Sequence, residues 1–196
     1  MLFNFFKIDR HKSVSKLLDK LLPNTPLVSH IQKTRIRTAT ATKGYKYLAE
    51  GTVQDRKFVL SVQADSNDLD QPLYQVEIIL HCENPSWIHL KMAANTSLLE
   101  LNKSLDLKRI KLNDLLSDSL SIACNQTAFI QRSFDTTMLR LAQSIEWNKM
   151  RYIQLSRKRL YIRSQALSTT AIEASLLQNL MLFSTQLLDK TDQVTP

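Results

Sequence analysis

Catalysis or metal binding in this chain would have to be built from four histidines, two cysteines and one run of aspartates. His11, His30, His81 and His89 show no His-x-x-x-His spacing and stand beside no Cys-x-x-Cys pair, the arrangements that bring two ligands to one metal. His81 and Cys82 are adjacent and suggest a base beside a nucleophile. In an extended strand, however, neighbouring side chains point to opposite faces and do not meet. Cys82 and Cys124 both fall in apolar stretches, where a free thiol is an inert packing group, and two cysteines are too few for a disulfide framework. Asp65, Asp68 and Asp70 suggest a cation loop, but a calcium loop needs a glycine turn and a distal bidentate glutamate, and "DSNDLDQ" has neither. The two glycines, Gly44 and Gly51, are too few and too far apart for a phosphate-cradling loop. These residues predict no catalytic site, no metal, no cofactor and no small-molecule substrate, and so a protein that is not an enzyme.

Binding chemistry is better represented. The net charge is +8, and it is unevenly placed. Residues 31–46 hold Lys33, Arg35, Arg37, Lys43 and Lys46 with no acid, and residues 149–163 hold Lys149, Arg151, Arg157, Lys158, Arg159 and Arg163, again with none. Between them, residues 64–83 carry five acids and no lysine or arginine. Such blocks suit nucleic acid, an anionic protein, or the acidic block of a second copy of the chain. In "RYIQLSRKRLYIR", strand alternation sets Tyr152 with Gln154 on one face and Arg151 with Ile153 and Leu155 on the other. That separates the stacking aromatic from its neighbouring cation and weakens the nucleic-acid reading. Arg157, Lys158 and Arg159 fall at the turn, where a solvated tip steers a partner. At the amino terminus, Phe3, Phe5 and Phe6 with Leu2 and Ile8 precede Lys7, Arg10 and Lys12, which fits a docking arm or a membrane-surface anchor formed by residues 1–12.

The elements that must hold these groups follow from periodicity. Val14, Leu17, Leu18, Leu21 and Leu22 before Pro23 predict a short amphipathic helix, and "QKTRIRTATATKG" an extended edge segment or linker. "RKFVLSVQA" and "PLYQVEIILH" predict an antiparallel hairpin, with "SWIHLKMAA" as the next strand and "DSLSIACN" as another. The stretch 98–112 is ambiguous between helix and strand. Apolar residues from Phe129 to Ile145 recur at helical spacing, in two pieces divided near Ser133. A two-stranded unit with a basic turn follows, and then a helix of about five turns that runs from Ile172 to Leu188 behind a Thr170, Glu173 capping box. This order predicts an α+β fold: an antiparallel sheet packed by a long C-terminal helix, with an N-terminal helical extension. The expected division is residues 1–44 for the amphipathic helix and basic linker, and 45–196 for the α+β domain.

The succession "GTVQDRKFVLSV", "VEIILHCENPSWIHLKM", "LDLKRIKLNDLLSDSLSIACNQTAFIQRSF" and "YIQLSRKRLYIRSQAL", closed by a leucine-rich helix, resembles a family of bacterial cytoplasmic α+β domains of unknown function. Leu105 and Asp106 stand where that family has glycine-leucine, Asn113 and Asp114 replace its glycine-aspartate, and Ser119, Leu120 and Ile122 match its strand weakly. The resemblance implies the fold and a bacterial cytoplasmic setting, and carries no active site. The N-terminal apolar run is too short for a signal-peptide core, and no stretch approaches the ~18 apolar residues of a membrane span. The residues predict a non-enzymatic protein-binding adaptor or assembly component, with Phe3, Phe5 and Phe6 as anchors and Arg157, Lys158 and Arg159 as charges at the contact. Self-association into an oligomer is included. The alternatives are nucleic-acid binding through residues 31–46 and 149–163, and attachment to the inner-membrane surface through the apolar arm.

Overall fold

The structure, a computed structural model, describes residues 28–37, 43–66, 73–94, 107–112, 116, 119–168 and 171–194. Its framework is a nine-stranded sheet in which neighbouring strands pair antiparallel, in the spatial order β1-β2-β3-β4-β9-β8-β5-β7-β6. The strands are β1 (Val28–Arg37), β2 (Lys43–Val53), β3 (Arg56–Ser66), β4 (Leu73–His81), β5 (Leu90–Ala94), β6 (Lys108–Ile110), β7 (Leu120–Cys124), β8 (Met150–Leu155) and β9 (Arg159–Ser168). Among the described residues, three full α-helices accompany them: α1 (Thr127–Ser133), α2 (Thr136–Gln143) and α3 (Ala174–Asp192). The α+β architecture with its closing C-terminal helix is therefore as expected.

The register explains the core. A single row of paired residues, Ile110, Ile122, Met92, Ile153, Ile162, Ile78, Leu60 and Ala49, crosses eight strands from β6 to β2. All but Ile110 are buried. Because side chains alternate between faces, one apolar row per pleat commits that whole face to the core. From α3, Leu176, Leu177, Leu180, Phe183, Leu187 and Leu188 are buried in the same cluster, and the Phe183 ring meets Phe134 and Trp147 edge-on. Ser184 and Thr191 are buried on that helix because each hydroxyl donates to the carbonyl four residues back, Leu180 O at 2.6 Å and Leu187 O at 2.9 Å. The break between α1 and α2 falls at Phe134 and Asp135, where the Asp135 carboxylate caps α2 by accepting from the Met138 amide at 3.0 Å.

Two open readings resolve, and other local expectations change. The edge segment of "QKTRIR" is β1, paired with β2, and the described part of 98–112 is the short strand β6. The strand expected from Ser86 begins only at Leu90, and Pro85 and Ser86 form a turn that Trp87 follows. It is also separated from β4, because the late hairpin β8–β9 inserts between them. The capping box is not used: α3 starts after Glu173, which makes no side-chain cap bond, and Thr170 lies outside the described residues. The amphipathic helix of residues 14–22 and the arm with Phe3, Phe5 and Phe6 also lie outside them. Among the described residues, no helix is long and apolar enough to cross a membrane.

Candidate functional site

One end of the sheet gathers three turns and a helix terminus around an open cleft of about 940 Å³. The first turn is the two-residue link between β2 and β3, Gln54 and Asp55, both with left-handed φ (47° and 61°). That is the geometry a tight hairpin demands, adopted here without the usual Asn-Gly pair. The second is the basic tip of β8–β9. Its ladder to β4 continues past the strand ends, since the Cys82 and Asn84 amides donate to the Lys158 and Arg157 carbonyls at 3.0 and 3.1 Å. The third is the loop from Glu83 to His89.

That loop is irregular but closely held. The buried Asn84 side chain accepts from the Ile88 amide at 3.1 Å and donates to the Ile88 carbonyl at 2.7 Å and the Ser156 carbonyl at 3.3 Å. Asn125 donates to the Trp87 carbonyl at 2.9 Å and accepts from the His89 amide at 2.7 Å, while Gln126 donates to the Ser86 carbonyl at 2.6 Å. Ser86 in turn donates to the Val194 carbonyl beyond α3 at 2.8 Å. These bonds hold Trp87 at φ 52° with 53% of its surface exposed. The Arg157 guanidinium lies 4.1 Å from the centre of the Trp87 ring, a cation–π stack.

Arg56, which lines the cleft with Asp192, donates to Asp189 at 2.8 Å and to Asp192 at 2.5 Å, tying the β2–β3 hairpin to the end of α3. Arg157, Lys158 and Arg159 are exposed and make no ion pair among the described residues. Of the residues expected to bind, Arg157 and Lys158 line the cleft together with Asp55 and Glu83, a lining of mixed charge, while Arg159 follows them as the first residue of β9. His81 and Cys82 also line it. Burial first, and Asp192 second, push the Cys82 thiol up to about 11 against the opposing pull of Arg56, so at neutral pH it is a protonated group and a poor nucleophile. Burial likewise raises Cys124.

The second arrangement of basic and aromatic residues lies on the sheet face opposite the helices. The register shifts between Met150 and Tyr152, so the regular alternation expected there is interrupted at Arg151, and it sets Arg163 of β9 opposite Tyr152. The Tyr152 and Tyr161 rings are 5.7 Å apart, and Lys91 lies 5.1 Å from the Tyr152 ring centre. These groups are occupied with one another. Tyr161 donates to Glu77 at 2.7 Å, and Arg163 donates to Gln75 at 2.5 Å and lies 3.5 Å from Glu77. Burial and the Glu77 bond raise the Tyr161 pKa, so its phenol keeps the proton it donates.

Sequence reading missed Trp87, Asn84 and Arg56. "ENPSW" did carry a turn signal in Asn84 and Pro85, but the apolar run after it extends a strand backwards over Trp87. Nothing local marks Arg56, whose partners are more than 130 residues away.

The architecture defines a class: an open antiparallel α+β sheet with its helices on the core side. No family model matches the chain, and no curated protein does. Among solved structures, it is similar to the mycobacterial trehalose monomycolate transport factor A, TtfA, with a TM-score of 0.51 over 83% of this chain and 82% of that one. The two are 11% identical, so the likeness is one of fold.

Proposed function

We propose that this protein acts by binding another protein, as an adaptor or assembly component, and that the hairpin end of its sheet is where the partner is held. The observation that carries this reading is the convergence at one end of every positive-φ non-glycine among the described residues, Gln54, Asp55 and Trp87, with an exposed tryptophan and the cations Arg157 and Lys158, which make no ion pair among those residues. Backbone strain persists where surrounding structure over-determines it, and such positions cluster at functional sites. Exposed tryptophan and arginine are the residues that dominate binding energy in interfaces. TtfA, which shares the fold, is a transport factor, a role that accords with a binding rather than a bond-breaking protein.

Phe3, Phe5 and Phe6 would supply a separate apolar anchor, and deletion of residues 1–10 should then weaken the complex while leaving the fold intact. The test is affinity purification of the tagged protein from its own cells, with and without nuclease. Stoichiometric proteins that survive nuclease and are lost from an Arg157, Lys158, Arg159 triple alanine variant support the reading. Partners lost only on nuclease treatment would replace it with nucleic-acid binding.

A further inference from the structure

We infer that Trp87 and Arg157 form a preassembled receptor for an extended protein segment that presents a carboxylate beside an apolar side chain. This rests on the binding function proposed above and specifies its partner's chemistry. The Arg157 guanidinium carbon lies 4.1 Å from the centre of the Trp87 ring, which holds the group against the ring, and its N–H groups pair with no acid among the described residues. A guanidinium fork of fixed orientation matches a carboxylate through two parallel hydrogen bonds. Trp87 offers the adjoining apolar surface, 53% exposed.

Little ordering is left to be done on binding. The loop that carries Trp87 is pinned by side chains of Asn84, Asn125 and Gln126, and the tip that carries Arg157 is bonded to the same loop through Asn84. A receptor already held in its bound shape loses less entropy when occupied. Lys158 and Arg159, beside Arg157, add attraction for an acidic segment.

The charges opposite this rim decide between a protein and a nucleic acid. Asp55, Glu83 and Asp192 line the same cleft as Arg56, Lys57, Arg157 and Lys158, and Arg56 is already shared between Asp192 and Asp189. A phosphate chain would carry its repeated charges against those acids. A protein segment can set one Asp or Glu on Arg157, an apolar residue on Trp87, and a Lys or Arg towards Glu83. Mixed charge therefore selects a protein segment.

The test is to select a random displayed-peptide library on the full-length protein and to titrate the enriched peptides against the protein and its Arg157→Glu, Trp87→Ala and Lys111→Glu variants. Lys111 is exposed beside β6 and controls for the change of charge alone. Emission from the buried Trp147 verifies that each variant is folded. The expected result is enrichment of Asp or Glu beside an apolar residue, with affinity about 30-fold lower in each of the first two variants and unchanged in the third. Selection on Arg157→Glu should enrich Lys or Arg instead. Peptides that bind all variants alike overturn this site while leaving the binding function standing. Oligothymidylate that binds in a Trp87-dependent, salt-sensitive way, with no acidic peptide enriched, overturns both, as does a failure to select any peptide together with no nuclease-resistant partner.

Discussion

Asn84 offers the sharpest test of how the site is held. Its side chain is 2% exposed and makes three hydrogen bonds to backbone groups of Ile88 and Ser156. Replacement by alanine leaves the buried Ile88 amide and two carbonyls without these partners. At roughly 1–3 kcal/mol for each buried group left unsatisfied, and less for the partly buried Ser156 carbonyl, Asn84→Ala should cost about 2–4 kcal/mol. That is a large share of the ~5–15 kcal/mol that ordinarily separates folded from unfolded chains. Asn84→Asp is nearly isosteric and more informative. A carboxylate can still accept from the Ile88 amide, but its second oxygen would face the Ile88 and Ser156 carbonyls, so only the protonated acid reproduces the native donor. Its folded-state pKa should therefore be raised above the unfolded value. The sign follows: the variant is most stable below the unfolded carboxyl pKa near 4, and loses stability as pH rises through the folded value. Urea unfolding followed by tryptophan emission at several pH values measures both effects, with Trp147 reporting the core and Trp87 the loop. A cost below about 1 kcal/mol for Asn84→Ala, or an Asn84→Asp variant whose deficit does not grow with pH, would refute the claim that Asn84 pins this loop.

Ser164 sits where the β4–β9 register shifts and accepts from the buried Val76 amide at 2.8 Å, so Ser164→Ala should cost about 1–3 kcal/mol in denaturant unfolding. The Lys190 ion pair, and then the Met138 amide, hold the Asp135 carboxyl below its usual range. Its contribution is present above the unfolded carboxyl pKa and disappears as pH falls through the depressed folded value. Asp135→Asn should flatten that acid limb in thermal melts, and Asp135→Ala should add the loss of a helix cap, about 1 kcal/mol. With its pKa near 11, the Cys82 thiol should react with a disulfide reagent at pH 8 about 100-fold more slowly than an ordinary thiol of pKa 9.0 on ionisation alone. Fast labelling of Cys82 in the native protein would contradict that environment. Arg56→Met should lower the melting temperature less in high salt than in low, because part of what it removes is the screened pairing with Asp189 and Asp192.

Periodicity carried most of the secondary structure. Alternation in "RKFVLSVQA" and "PLYQVEIILH", the three- and four-residue spacing from Phe129 to Ile145, and the leucine stripe of the last helix are local consequences of one buried face. They appear as β3 and β4, α1 and α2, and α3. The basic tip was equally plain, since three consecutive cations between two short apolar-alternating runs favour a solvated turn. What local pattern does not contain is who pairs with whom. An eighth and ninth strand can enter between the fourth and fifth because any strand with the same alternation presents the same ladder, and the choice rests on the complete apolar row from β6 to β2. The cleft depends on that choice. Trp87 and Arg157 are 70 residues apart in the chain, as are many of the bonds that hold them, and they meet because β9 pairs with β4. Composition and spacing set the available charges, aromatics and elements; the global register brings one tryptophan under one arginine, because hydrogen bonding across the sheet acts between segments whose separation along the chain leaves no trace in either.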